Sequence, residues 1–232
     1  MADQTTKLTL YTYFRSSSAA RLRIALNLKA LPYISIPVNL LKGEQSSPTN
    51  CALNPSGTVP TLVVERPVSQ GATVTITQSL AALEYLEEIT PEQSHALLPP
   101  VSDPEARAVV RTLSEIIACD VQPVTNLKIL KRVAPLGFDR EAWSKELIED
   151  GFRAYETIIS RTAGVFSVGD GITMADVCLL PAVWGAQRSG VNLREFPTIR
   201  RVAERLEEED AVKKAHWTTQ SDTPEEFRVT MS

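Results

Sequence analysis

A four-stranded mixed sheet with helices packed on it, followed by an all-helical domain, is the fold this sequence predicts. Three observations carry that expectation. Over residues 1–90 the apolar side chains switch between a period of two and a period near 3.6. A proline-containing stretch then interrupts both periods, with Pro91, Pro99 and Pro100. Beyond it only the helical period returns. The boundaries read as a first domain over 1–90, a linker over 91–103 and a helical domain over 104–232.

The elements follow in chain order. Leu8–Tyr13 alternates and reads as a strand, and Ser17–Leu28 has helical spacing. Ile34–Val38 is a second strand, after Pro32. Thr61–Glu65 and Thr73–Thr77, separated by Pro67 and Gly71, read as a short antiparallel pair. Leu80, Leu83, Leu86 and Ile89 then recur at helical spacing behind Ser79. The order is β-α-β, an irregular stretch, then β-β-α, which suits one mixed sheet. In the second domain Glu105–Leu130, Arg140–Thr162, Met174–Arg188 and Thr198–Glu209 are helix-like. From Thr218 onward the chain is polar and reads as irregular.

Composition narrows the function classes. The 232 residues are 43% hydrophobic and 22% charged, an ordinary globular balance. Lys+Arg 24 against Asp+Glu 28 leaves a net charge of -4, which argues against nucleic acid or an anionic membrane as partner. Cys51, Cys119 and Cys178 form no CxxC pair and read as thiols of a reducing compartment. With only His95 and His216, a histidine-based metal site is not expected. The N-terminal residues lack an apolar signal core, and no apolar run reaches membrane-spanning length. A soluble, cytoplasmic protein is the expectation.

Four motifs can carry chemistry. Ser16, Ser17 and Ser18 fall where the first helix begins. Hydroxyls there can cap backbone N–H groups, or donate to an anion held at the positive end of the helix. Arg15, Arg21 and Arg23 supply positive charge nearby, and Arg23 reads as a surface or dimer-contact residue. Val59-Pro60 precedes the third strand. Taken alone it reads as a trans proline at a strand start, whereas a cis bond would present the Val59 backbone to an extended peptide. Gln78-Ser79 opens the third helix, with Ser79 as its N-cap and Gln78 as an amide suited to an amino-acid head group. Thr173-Met174-Ala175-Asp176 reads as a capping box, with Ile172 and Val177 as its hydrophobic staple and no catalytic part for Asp176.

The order and spacing of these motifs resemble the zeta class of cytosolic glutathione transferases. In the first domain the resemblance rests on Tyr11-Thr12-Tyr13-Phe14-Arg15-Ser16-Ser17, Arg21-Leu22-Arg23-Ile24-Ala25-Leu26, Leu53-Asn54-Pro55, Val59-Pro60-Thr61-Leu62 and Gln78-Ser79-Leu80-Ala81. In the second it rests on Gln122-Pro123, Asn126-Leu127, Val168-Gly169-Asp170 and Thr173-Met174-Ala175-Asp176. It extends from about Leu8 to Pro224, without a large insertion.

That resemblance implies a thioredoxin-like first domain, bound glutathione and a homodimer. It implies that Ser16 bonds the glutathione sulfur, with Ser17 and Ser18 beside it. Val59 would pair with the cysteinyl backbone of the tripeptide, and Gln78 and Ser79 would hold its γ-glutamyl end. Gln122, Asn126 and Lys128 would line the site from the second domain. Arg21 and Arg188 would hold carboxylates of a dicarboxylate-type enone, with Ser16, Ser17 and Arg188 as the catalytic set. The implied reaction is isomerisation of maleylacetoacetate to fumarylacetoacetate, in phenylalanine and tyrosine catabolism, by reversible thiolate addition to the double bond. Broader transferase chemistry (conjugation, peroxide reduction or α-halo acid dehalogenation) and a non-catalytic interaction module are the alternatives. One departure stands out: Ser18 occupies the place of the family's cysteine, followed by Ala19 and Ala20. No protein thiol can act there.

Overall fold

The structure, a computed structural model, describes residues 6–67, 71–90 and 95–229. The chain forms two compact units. One runs to His95 and resumes at Ala211, and the other spans Ala96–Asp210.

The first unit carries strands β1 (Lys7–Thr12), β2 (Tyr33–Pro37), β3 (Thr61–Glu65) and β4 (Val74–Ile76), with helices α1 (Ser17–Leu28), α2 (Pro48–Leu53) and α3 (Ser79–Ile89). The sheet order is β2-β1-β3-β4. β1 pairs in parallel with β2 through the α1 crossover, and antiparallel with β3, which pairs antiparallel with β4. This is the mixed four-stranded sheet the alternating periods predict. The central strands β1 and β3 are largely buried on both faces, while β2 and β4 at the edges stay half-exposed. Leu10, Leu22, Leu26, Leu62, Leu83 and Leu86 are excluded from solvent and form the core between sheet and helices. Lys29, just beyond α1, donates to Glu87 (2.7 Å) and to the His95 carbonyl (3.0 Å), so a buried charge is paired where α1 meets α3.

Three expectations need correction in this unit. The stretch between β2 and β3 is not wholly irregular, because it contains α2. Ser47 caps that helix by accepting from Asn50 N (3.2 Å), and Pro48 takes the first turn, where its missing N–H costs nothing. The Val59–Pro60 bond is cis, not the trans bond that the segment alone suggests. The chain from Ala211 onward, read from sequence as part of the 104–232 domain, clusters with the first unit.

The second unit is helical: α4 (Pro104–Glu115), α5 (Gln122–Thr125), α6 (Leu127–Val133), α7 (Arg140–Thr162), α8 (Met174–Arg188) and α9 (Pro197–Glu207). α10 (Asp210–Ala215) leads back to the first unit. Glu105–Leu130 is not one helix. A wide π-type turn over Ile116–Val121 separates α4 from α5, and the chain breaks again at Asn126. Pro123 has no N–H to give and its ring crowds the preceding turn, which explains the loosened register. Asn126 then restarts the helix as an N-cap, accepting from Ile129 N (3.0 Å). Gly151 lies where α7 crosses the π turn, and a Cβ there would run into the Val121 side chain. The expected linker does not lie free: its first residues fall outside those described, but Leu97 and Leu98 are buried, and Met174 N donates to Leu97 O (2.7 Å).

α8 is buried along most of its length and is the axis of this unit. Its start is organised by Asp176, which is fully buried. One carboxylate oxygen accepts from Thr173 N (2.8 Å) and Thr173 Oγ1 (2.9 Å), the other from Ser167 N (2.8 Å). Burial raises the Asp176 pKa, and these hydrogen bonds oppose the shift. The folded state therefore keeps the proton to higher pH than the unfolded chain, so this group's contribution to stability falls as pH rises through its raised pKa. Ile172 and Val177 flank the box and are both buried. Asp176→Ala should cost about 3 kcal/mol, because it strands three donors, and Thr173→Ala about 1 kcal/mol. Urea unfolding of the two variants checks that ranking.

Candidate functional site

Strand direction gathers the candidates of the first unit at one edge of the sheet. β1 and β4 both end there, so α1 and α3 both begin there. β3 starts at the same edge, with Thr61 opposite Tyr11, and Val59-Pro60 is the segment that leads into it. Ser16, Ser17, Ser18, Arg21, Val59, Gln78 and Ser79 are thus brought together by topology.

Ser16 is the N-cap of α1. Its Oγ accepts from Ala19 N (3.2 Å) and its backbone is extended. A hydroxyl that accepts through a lone pair keeps its own hydrogen to donate, so capping and anion binding are compatible at Ser16. Ser17 and Ser18 follow in the first turn and are half-exposed. No acidic side chain sits in the first turn of α1 or α3, whereas α4, α7 and α8 carry Glu105, Glu141 and Asp176 there. The positive ends of α1 and α3 are therefore not offset by their own first-turn carboxylates.

Gln78, not Ser79, occupies the N-cap position of α3. Its side chain is exposed and makes no capping bond. Ser79 is the first helical residue and is buried, and its Oγ accepts from Arg21 Nη1 (2.9 Å). Arg21 thus reaches inward from α1 and fixes the start of α3. Val59 lies outside the β1–β3 ladder, and its side chain belongs to a buried cluster with Tyr13, Phe14 and Val38. The loop before it is built on Asn54, a buried amide that donates to Thr58 O (3.0 Å) and Thr61 Oγ1 (3.2 Å) and accepts from Ser56 N (3.1 Å).

The largest correction concerns Arg23. It is no surface residue; its solvent exposure is 0%. Nε donates to Ala215 O (3.1 Å), Nη1 to Thr12 Oγ1 (2.9 Å) and Tyr13 O (3.3 Å), and Nη2 to Phe14 O (3.1 Å). Burial lowers its pKa to about 10, against the opposing pull of Tyr33 and Asp222, and it stays ionised at neutral pH. The guanidinium therefore grips the β1–α1 loop just before Ser16. Sequence reading missed it because the carbonyls it binds carry no side-chain signature.

The same loop is held from the chain's other end. Asp222 accepts from Phe14 N (2.8 Å), and the Arg15 guanidinium lies over the rings of Phe14, Trp217 and Phe227 at 5.7, 5.5 and 5.0 Å. The stretch after Thr218, though mostly without regular structure, is pinned: Thr223 Oγ1 donates to Trp217 O (2.6 Å), and His216 Nδ1 pairs with Thr218 Oγ1 (2.6 Å).

The second unit holds the remaining candidates. Gln122 opens α5 and is half-buried, and Lys128 is exposed on α6. Asn126 uses both ends of its amide locally, since it caps α6 and donates to Pro123 O (2.7 Å). Arg188 is exposed in the last turn of α8, where the helix dipole favours a cation. Among the described residues, no group of three or more His, Cys, Asp or Glu is placed to hold a metal ion. No helix among them is long and apolar enough to cross a membrane. A cavity of about 420 Å³, lined by Thr6, Leu8, Arg66 and Tyr85 among others, opens where β1 begins and contains none of the candidate residues.

The chain is similar to known proteins over its whole length. Residues 15–89 match the family model of the glutathione S-transferase N-terminal domain, and residues 137–216 match that of the C-terminal domain. The chain is 76% identical over 233 residues to maleylacetoacetate isomerase maiA of Aspergillus fumigatus, with 100% of both chains covered. It is 44% identical to maleylacetoacetate isomerase of Rattus norvegicus, covering 97% of this chain and 100% of the rat protein. The crystal structure of maleylacetoacetate isomerase from Anaeromyxobacter dehalogenans, with dicarboxyethyl glutathione and citrate in its active site, superposes with a TM-score of 0.85. Identity there is 40%, over 96% of this chain and 100% of that one.

The Arg23 contacts can be checked by Arg23→Lys. An ammonium keeps the charge but cannot fork to Thr12, Tyr13, Phe14 and Ala215 at once, so a loss of about 2 kcal/mol is expected in urea unfolding. A variant as stable as the parent would show that charge alone suffices.

Proposed function

The chain belongs to the zeta-class glutathione S-transferases, and on that premise we propose that it isomerises maleylacetoacetate to fumarylacetoacetate with glutathione as coenzyme. Glutathione, when bound, supplies the thiolate whose reversible addition makes rotation about the double bond possible. The residues at the sheet edge fit such a tripeptide. Two helix starts without first-turn acidic residues suit a thiolate and a carboxylate. The Val59 backbone beyond the strand ladder suits an extended peptide.

Each side chain then has a separable part. Ser16 donates to the sulfur while Ala19 N bonds its other side. A free thiol near the reference value of about 8.5 is only slightly ionised at neutral pH, and a donor plus a helix N-terminus both favour the anion. Ser17 and Ser18 add hydroxyls in the same turn, and Ser18 supplies no thiol. Val59 pairs with the cysteinyl backbone. Gln78 and Ser79 hold the γ-glutamyl end, and Arg21 acts through Ser79 by fixing its hydroxyl. Gln122, Asn126 and Lys128 remain glutathione-binding candidates in this reading, with Asn126 limited by the bonds it already makes. Arg188 holds a substrate carboxylate and offsets charge that develops on the substrate. A homodimer and a cytoplasmic location complete the reading, supported by family membership and by three cysteines that form no disulfide.

The observation that carries most weight is the Ser16 hydroxyl at the start of α1, because it joins a donor to a helix end free of first-turn carboxylates. The test is to follow maleylacetone by ultraviolet absorbance with and without glutathione. Glutathione-dependent isomerisation is expected; its absence overturns the proposal. Ser16→Ala should lower kcat about 100-fold while glutathione binding changes far less, alongside about 1 kcal/mol of lost capping. Equal losses in turnover and binding would mean the hydroxyl only caps the helix.

A further inference from the structure

The loop that places Ser16 depends on residues from the opposite end of the chain, and we propose that Asp222 is a positioning residue for this site. Residues 12–15 lead directly into the Ser16 cap and make few regular hydrogen bonds of their own. Arg23 secures the Thr12 hydroxyl and the Tyr13 and Phe14 carbonyls. Among the described residues, the Phe14 amide donates to the half-buried Asp222 carboxylate, 208 residues away in sequence. Two further contacts come from the same segment. Trp217 packs against the cluster of Tyr13, Phe14, Val38 and Val59, and Phe227 with Trp217 covers the Arg15 guanidinium.

The segment thus touches both walls of the candidate site: the Ser16 loop through Phe14 and Arg15, and the Val59 loop through the apolar cluster. The part assigned to its side chains is indirect. They act by fixing where the Ser16 hydroxyl sits relative to Val59. An ångström of misplacement in such a group costs about 100-fold in rate.

The inference rests on the proposed reading of Ser16 as the sulfur contact, and two readouts keep the claims apart. The first is amide hydrogen exchange at Phe14, which needs no catalysis. The amide should be protected in the parent protein, unprotected in Asp222→Ala and protected again in Asp222→Asn, whose amide oxygen can still accept. The second is maleylacetone isomerisation. Asp222→Ala should lower kcat about 10- to 100-fold with little change in KM for glutathione, and Asp222→Asn should recover most of that loss. Phe227→Leu, a change at a partly exposed ring, should lower kcat in the same direction and serves if Asp222→Ala does not fold. An unprotected Phe14 amide in the parent, or equal kcat for Asp222→Ala and the parent, overturns the positioning role. So does a loss confined to KM. A parent with the expected exchange pattern but no isomerase activity overturns the proposed function instead.

Discussion

A buried arginine organises the first unit. Arg23 leaves water entirely and compensates by giving its guanidinium hydrogens to three backbone carbonyls and one hydroxyl. Desolvating such a cation is expensive unless every donor is aimed at an acceptor, and the fork of a guanidinium suits several acceptors at fixed angles. The acceptors belong to the end of β1, the loop before Ser16, and Ala215 at the end of α10. One side chain therefore couples the strand that centres the sheet, the loop that carries the candidate serine, and the returning C-terminal segment. The arrangement tolerates little rearrangement, since moving the loop leaves a buried charge or a buried carbonyl without a partner.

On that base the first-unit part of the candidate site does not turn a side-chain cation toward the anion. The chain is acidic overall, Arg21 and Arg23 are turned inward, and Arg15 is engaged with aromatic rings. What the first unit offers an anion is the field of α1 and α3 at their shared edge, with the hydroxyls of Ser16 and Ser17 and the exposed amide of Gln78 beside it. Hydrogen bonds to the charged form and a helix N-terminus both favour a thiolate, and neither requires a protein thiol. Ser18 in place of the family's cysteine is consistent with that division of labour.

Much of this is legible in the sequence. The sheet and α1 can be read from the spacing of their apolar residues, although β1 and β3 are buried on both faces and α1 is buried continuously over Ala19–Leu26. The capping box at Thr173 and Asp176 is local and reads directly. Other features carry short local signals that periodicity does not show: Ser47-Pro48 is a helix-start signal, and Pro123 with Asn126 marks the breaks that divide Glu105–Leu130. Arg23 and Asp222 belong to a different category. A charged residue in a helix reads as solvated, and nothing in the pattern shows that backbone carbonyls from a preceding loop surround it. The C-terminal segment is held by turns, side-chain-to-backbone bonds and ring contacts, none of which has a period. Likewise the chemistry of Ser79 points to a cap one position late, because the deciding feature is the extended backbone of Gln78.

In the proposed reading the start of α1, held in place by its loop, stabilises a thiolate through Ser16. Titrating the ultraviolet thiolate absorbance of glutathione bound to the protein measures this. A bound thiol pKa below the reference value of about 8.5 is expected, moving back toward that value in Ser16→Ala. A bound pKa equal to that of free glutathione, in the parent and the variant alike, would contradict it.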